Sequence, residues 1–126
     1  MTSGTDRWEL PPDLTAAGVA RRHVDESCAD LPDDTVDVAR LLVTELVANA
    51  VKHGAGPVLL EVDRSAGQVQ VSVHDESPDL PVVLEARPLP ENGAGLRLVA
   101  ALASRWGVTE RRDGRPGKRV WFTLGR

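Results

Sequence analysis

The sequence predicts an α+β fold, a two-layer sandwich in which helices cover one face of a mixed, mostly antiparallel sheet. Residues 41–53 read LLVTELVANAVKH, and their apolar side chains recur at three- and four-residue steps, which is typical of an amphipathic helix. Residues 68–74 alternate valines with polar side chains, which indicates a strand with one solvated face. The predicted strands come in pairs joined by short turns, which favours hairpins over a strict alternation of strands and helices.

The first half of the chain contains a short strand followed by two helices. Prolines at 11, 12 and 32 and aspartates just after them mark the boundaries, because proline ends regular structure and aspartate caps helix N-termini. A glycine follows the second helix, as is common at helix C-termini. The predicted elements are a strand at 7–10, a helix from the N-cap Asp13 to near residue 29, and a helix from Asp33 or Asp34 to His53, ended by Gly54.

The second half of the chain contains two hairpins around a long loop and a third helix. Residues 75–92 carry four prolines and show neither a helical nor a strand period. Loops of this length inside a compact domain are uncommon and often form lids or binding loops. The third helix is predicted to begin after Gly93, Ala94 and Gly95. The four strands are predicted at residues 58–64, 68–74, 108–111 and 118–124.

Composition sets limits on the class of protein. The length of 126 residues predicts a single domain over 1–126, with residues 1–6 disordered. The net charge of -4 argues against a direct nucleic-acid surface, which needs a basic excess. No apolar run is long enough for a membrane span, and no signal-peptide segment is evident, so we expect neither a membrane nor a secreted location. The lone Cys28 fits a reducing, cytoplasmic compartment.

Candidate chemistry begins on the second helix. Glu45 and Asn49 are four residues apart, so they share a helix face, and His53 follows one turn later on the same side. A carboxylate beside a carboxamide offers a general base next to an oxygen ligand for Mg²⁺. Such a pair more often marks only a solvated helix face, and both interpretations stay open on this stretch alone.

Two further motifs belong to the same hypothesis. Asp75 ends a predicted strand, where its carboxylate can accept a hydrogen bond from an exocyclic amine such as that of adenine. Gly93 and Gly95 open a helix, where unpaired amides and the positive end of the helix dipole favour phosphate. Each motif alone is common in ordinary turns. Together they predict a nucleotide site with a base acceptor, a metal ligand and a phosphate cradle.

The order of these motifs resembles that of the GHKL superfamily of ATP-binding domains (gyrase, Hsp90, histidine kinases and MutL). The matching residues are Glu45-x-x-x-Asn49, Asp75, Gly93-x-Gly95-Leu96 and the stretch GKRVWF at 117–122. Within the superfamily, the phrases ELVANAVKHG and GLRLVAALASRWGV resemble the small anti-sigma-factor serine kinases that are common in actinobacteria. The resemblance covers residues 8–124 and implies the Bergerat, or histidine-kinase-type ATPase, fold.

The resemblance also implies roles for individual residues. Asn49 corresponds to the Mg²⁺ ligand, Glu45 to the catalytic carboxylate and Asp75 to the adenine-recognising aspartate. His53 lies near the nucleotide in this branch. Nucleotide contacts are further implied for the second glycine box, which consists of Gly93, Gly95 and Leu96.

The implied cofactors are ATP and Mg²⁺, and the implied activity is that of a serine/threonine-protein kinase. The γ-phosphoryl would pass to a serine of an anti-sigma-factor antagonist, or the protein would sequester a sigma factor. In this family the first strand and helix often build a homodimer, which makes a homodimer possible here. The alternative is a non-catalytic partner-binding module with weak or no nucleotide binding. A third hypothesis, a detached catalytic domain of a histidine kinase, is less favoured.

Two positions depart from the family pattern. The superfamily has a DxGxG pattern after the aspartate, whereas this chain reads Asp75-Glu76-Ser77-Pro78. Losing those glycines removes backbone freedom around the base and the adjoining phosphates. In the last strand, Lys118 stands where a threonine usually follows the leading glycine. Both departures bear on nucleotide affinity and on catalysis.

Overall fold

The computed structural model describes residues 4–77, 91–111 and 116–125. They form three helices and five strands in an α+β arrangement, as the sequence predicts. In chain order the elements are β1 (Gly4–Leu10), α1 (Ala16–Ser27), α2 (Asp33–His53), β2 (Val58–Ser65), β3 (Gln68–Asp75), α3 (Glu91–Leu102), β4 (Arg105–Glu110) and β5 (Lys118–Gly125).

The strands form one sheet in the order β1-β2-β3-β5-β4. All four pairings among the described strands are antiparallel. The hairpin of β4 and β5 returns so that β5, rather than β4, lies beside β3. This places the start of β5 directly opposite the end of β3, with Asp75 and Lys118 as paired residues.

The core lies between one face of the sheet and the helices. Alternate residues of β2, β3 and β5 point to the helices and are buried, because successive side chains of a strand face opposite sides. Helix α2 contributes the longest buried stripe, which the predicted periodicity anticipates. The largest fully buried apolar side chains are Phe122, Leu42, Leu60, Val24, Val43 and Val47.

The other face of the sheet, which we call the outer face, is not covered by a described helix. A cleft of about 660 Å³ opens there, lined by Arg7, Leu59, Leu60, Glu61, Gln70, His74, Arg105, Arg111, Arg119 and Trp121. The Arg119 guanidinium lies 5.7 Å from the centre of the Trp121 ring. The cleft therefore lies on the opposite side of the sheet from the helices that carry Glu45 and Asn49.

The predicted starts of β1, α1 and β4 need correction. Residues 4–6 are not disordered but extend β1, because they pair with residues 62–64 of β2; residues 1–3 lie outside the described part. Helix α1 begins at Ala16, and Asp13 accepts hydrogen bonds from the amide and hydroxyl of Thr15 just before it. Strand β4 begins at Arg105, three residues earlier than predicted.

No helix in the described ranges is long and apolar enough to cross a membrane.

Candidate functional site

Helix α2 presents Glu45 and Asn49 on one side, as their spacing predicts. Both side chains are half-buried, next to a stripe of fully buried residues on the same helix. The Asn49 Nδ2 atom is buried and has no hydrogen-bond partner. A buried amide without a partner costs free energy, so such groups call for an explanation such as an absent ligand. Asn49 is therefore the residue of this helix whose surroundings best fit a missing polar partner.

His53 occupies the last turn of α2. Its side chain is exposed, as is that of Lys52. Positive charge at a helix C-terminus is favourable because it faces the negative end of the helix dipole. Lys52 is therefore favourably placed at this helix end, and contact between His53 and a nucleotide stays a prediction.

Metal ligation depends on few protein groups here. Among the described residues, no group of three or more His, Cys, Asp or Glu side chains could hold a metal ion. Mg²⁺ in phosphate-transferring sites is commonly bound by one or two protein oxygens together with phosphates and water. The Asn49 Oδ1 would be the single protein ligand in that arrangement, and the unpartnered Nδ2, a hydrogen-bond donor, would reach a phosphate oxygen or a metal-bound water.

Asp75 lies at the end of β3 and is 2% exposed. A Cβ placed on Gly54 would lie 2.8 Å from the Asp75 carboxylate and 2.5 Å from the carbonyl oxygen of Ala50. The carboxylate thus touches the C-terminal end of α2, one turn beyond Asn49. Gly54 has an extended backbone with φ of -83°, so space rather than backbone strain requires glycine there.

Both oxygens of the Asp75 carboxylate have partners within the chain. Its Oδ1 accepts hydrogen bonds from the Ser77 amide at 2.8 Å and from the Lys118 ammonium at 3.1 Å. The Lys118 Nζ lies 3.0 Å from Oδ2, and the Lys118 residue is itself only 7% exposed. Asp75 is at the position that the resemblance predicts, but its acceptor oxygens face a lysine.

The sequence does not reveal this ion pair as such. The sequence marks Lys118 only as a departure from the family pattern. It does not show that Lys118 contacts Asp75, because the two residues are 43 positions apart. The signal that finds the pair is the antiparallel register of β3 and β5, which sets Asp75 opposite Lys118 on the helix-facing side. Cross-strand neighbours of opposite charge stabilise such a pairing.

Gly117 holds the turn into β5 against Asp75. Its φ is +134°, in the region that favours glycine, and a Cβ there would lie 2.1 Å from the Asp75 carbonyl oxygen. Two glycines therefore border Asp75, Gly54 on the carboxylate side and Gly117 on the backbone side. We call the group of Gly54, Asp75, Gly117 and Lys118 the base end, after the nucleotide base that the resemblance predicts there. We call the group of Glu45, Asn49 and His53 the catalytic end, after the role that the resemblance predicts for Glu45.

The predicted glycine box lies inside a helix rather than before it. Helix α3 begins at Glu91, so Gly93 and Gly95 belong to its first turns. The first amides of a helix have no partner within it. Gly93 is among them, whereas Gly95 lies beyond them, and this corrects the predicted helix start. Leu96 is 3% exposed and packs in the core, so only its backbone is available to a nucleotide.

The predicted loop at 75–92 lies largely outside the described residues, which stop at Ser77 and resume at Glu91. Helix α3, which follows the loop, packs against α2 and β4. The structure thus brings together Glu45 and Asn49 on α2, and Asp75 with the end of α2. Phosphate contacts at Gly93, Gly95 and Leu96 stay predictions.

Comparison with known proteins supports the fold. The family model described as "Histidine kinase-like ATPase domain" matches residues 10–124. Among solved structures, the chain is similar to the crystal structure of the RsbU and RsbW domains of Rv1364c from Mycobacterium tuberculosis, with a TM-score of 0.69 and 20% sequence identity. That match covers 97% of this chain and 32% of the other, so this chain spans about a third of its length. No curated protein sequence matches. The predicted fold is confirmed.

Proposed function

The chain belongs to the histidine kinase-like ATPase domain family, and on that premise we propose that it is an ATP-binding regulatory protein similar to anti-sigma-factor serine/threonine-protein kinases. The observation that carries the proposal is the Asn49 side chain, whose buried Nδ2 lacks a partner on the helix face that also bears Glu45. The family match supports ATP as the cofactor. Mg²⁺ follows from the chemistry of Asn49 beside a triphosphate.

Each end of the site has a proposed task. The Asn49 Oδ1 would hold the metal, and the metal would supply positive charge that neutralises the phosphates. Glu45 orients the serine hydroxyl of the acceptor and takes its proton, a contribution typically worth about 10²–10⁴-fold in rate. Asp75 accepts a hydrogen bond from the adenine amine. The α3 start, with Gly93, faces the phosphates with its unpaired amides.

The proposed partners are an anti-sigma-factor antagonist, which would carry the acceptor serine, and a sigma factor, which the protein would sequester. Both come from the resemblance of the α2 and α3 sequences to the anti-sigma-factor kinase branch. We expect the protein to act in the cytoplasm, without direct contact to nucleic acid or membrane. A homodimer built from β1 and α1 is part of the same proposal.

The first test is calorimetric titration of the protein with Mg-ATP. We expect saturable binding by the wild type, and weaker and less metal-dependent binding by Asn49→Ala because the variant lacks the metal ligand. Titration in the presence of EDTA measures the metal-independent part. Binding that is identical in the two proteins, with and without metal, would contradict the role of Asn49.

The second test separates binding from transfer. The Glu45→Gln variant keeps the size and polarity of the side chain and removes its basicity. We expect it to bind Mg-ATP like the wild type and to transfer labelled γ-phosphoryl to a cognate antagonist at least about 10²-fold more slowly. Equal transfer rates in the two proteins would rule out Glu45 as the base.

A non-catalytic partner-binding module is the second candidate function. The observation that favours it is the Asp75–Lys118 ion pair, which occupies the predicted adenine acceptor. Such a module would capture its partner equally well with ATP, with a non-hydrolysable analogue and without nucleotide. Partner capture that requires ATP would exclude it.

A further inference from the structure

We propose that Lys118 competes with a nucleotide base for Asp75. Its ammonium binds both carboxylate oxygens of Asp75, and a base binds there only when the ammonium has moved away. The inference rests on the proposed function, because it concerns how the same site admits a nucleotide. Lys118 is then a residue of the protein itself that lowers the affinity for nucleotides.

The contacts of Asp75 carry the first step. A carboxylate has about four acceptor positions over its two oxygens. The Ser77 amide and the Lys118 ammonium take up Oδ1, and the ammonium also lies 3.0 Å from Oδ2. The backbone at Gly54 closes in on the Oδ2 side. Because only 2% of the residue is exposed, an incoming amine cannot reach the carboxylate while Lys118 stays in place.

The chemistry of the competitor carries the second step. An ammonium and the exocyclic amine of adenine are both N–H donors, so they seek the same oxygens. The ammonium is charged and forms the stronger hydrogen bond to a carboxylate. A base therefore displaces Lys118 only if contacts of the rest of the nucleotide make up the difference in binding free energy. This predicts weak binding of nucleosides and a large dependence on the phosphates.

The sheet register gives Lys118 a second place to go. Lys118 lies directly opposite Asp75 on β3 and directly opposite Glu110 on β4. Glu110 is exposed, whereas Asp75 is buried. A lysine has four rotatable side-chain bonds, so its ammonium can turn from one neighbouring strand to the other without backbone movement. Glu110 is thus the acceptor for Lys118 in the open state.

The experiment compares the wild type with Lys118→Thr by calorimetry, using Mg-ATP and Mg-tripolyphosphate as ligands. Threonine is small, keeps a hydrogen-bond donor beside Asp75 and removes the ammonium. If the closed state holds nine-tenths or more of the molecules, its removal raises ATP affinity by about tenfold or more. Tripolyphosphate has no base, so its affinity should be unchanged or slightly weaker, since one positive charge is lost.

The outcomes separate the inference from the proposed function. Tighter ATP binding by Lys118→Thr, without tighter tripolyphosphate binding, supports the inference. Equal ATP affinity in the two proteins overturns it and leaves the ATP-binding function standing. Weaker binding of both ligands by the variant also overturns it, because Lys118 would then be a phosphate ligand. No ATP binding by either folded protein overturns the function and the inference together.

A second variant guards against misfolding of Lys118→Thr. Glu110→Gln leaves the base end intact and removes the proposed resting place of the released ammonium. We expect it to bind Mg-ATP about two- to tenfold more weakly than the wild type, because the open state loses its ion pair. In the Lys118→Thr background the same substitution should have no effect. An equal effect in both backgrounds would contradict the movement of Lys118 to Glu110.

Discussion

The two ends of the candidate site differ in how completely their polar groups are satisfied. At the base end, the Asp75 carboxylate is buried, hydrogen-bonded and paired with Lys118, and two glycines border it. At the catalytic end, Asn49 has a buried amide nitrogen without a partner. Buried polar groups with partners stabilise a fold, whereas those without partners destabilise it.

The difference indicates that the two ends contribute differently to stability and activity. Substitutions at the base end should cost stability, because they disturb close contacts and leave a charge unpaired. Substitutions at the catalytic end should cost activity and leave stability nearly unchanged. The predictions that follow test this contrast, from the largest expected effect to the smallest.

The largest effect is expected for Gly117→Val. A β-branched residue cannot adopt a φ of +134° without strain, and its Cβ would collide with the Asp75 carbonyl. We expect a loss of about 3 kcal/mol or more in the free energy of unfolding, measured by urea denaturation. Gly18→Ala is the control, because among the described residues a Cβ at Gly18 would approach only the Arg21 side chain, at 3.7 Å. That control should be neutral or slightly stabilising, and equal losses in the two variants would contradict the account.

The next effect is expected for Lys118→Met. This substitution leaves the Asp75 carboxylate buried beside the negative end of α2 without its cation. Removing one partner of a buried pair typically costs about 3–5 kcal/mol. The double variant Lys118→Met with Asp75→Asn has no buried charge and should regain most of that stability. Failure of the double variant to recover would show that packing, rather than the charge, is what Lys118 contributes.

A small effect on stability is expected for Asn49→Ala. The variant removes an amide nitrogen that has no partner in the protein. Its free energy of unfolding should therefore differ from that of the wild type by less than about 1 kcal/mol. The same variant should lose metal-dependent nucleotide binding. A large loss of stability would mean that Asn49 serves the fold, and the contrast between the two ends would fail.

At neutral pH the smallest effect is expected at Cys28, which follows α1 and is fully buried. Burial raises the pKa of its thiol from 9.0 to about 11. Between pH 9.0 and about 11 the native thiol therefore stays protonated while the thiol of the unfolded chain ionises. The stability that the buried thiol contributes is complete below pH 9.0 and is lost as the pH rises through about 11. Thiol reagents near pH 9.0 should label Cys28 only through unfolding. Fast labelling in the folded wild type would contradict this burial.

The sequence predicts the features that depend on local spacing. The boundaries of α2 follow from its apolar stripe and from the residues at its two ends. The placement of Glu45 and Asn49 on one helix side follows from their four-residue separation alone. Both are therefore visible without any knowledge of tertiary contacts.

The sequence does not predict the features that depend on pairing between strands far apart in the chain. Residues 4–6 look like a frayed end, but pairing with β2 makes them part of a strand. The Asp75–Lys118 contact joins residues 43 positions apart, and it becomes visible only when β5 is known to lie beside β3. The sequence identifies Asp75 as a hydrogen-bond acceptor. The sheet register places Lys118 opposite it as a donor.

The most direct test of the account is to locate the nucleotide site by NMR amide chemical shifts during titration with Mg-ATP and with Mg-tripolyphosphate. The account predicts that ATP shifts the Ser77 amide at the base end and the Asn49 side-chain amide at the catalytic end. Of these two amides, tripolyphosphate should shift only that of Asn49. Shifts confined to the outer face, at the Trp121 indole and the Arg119 amide, would contradict the assignment of both ends.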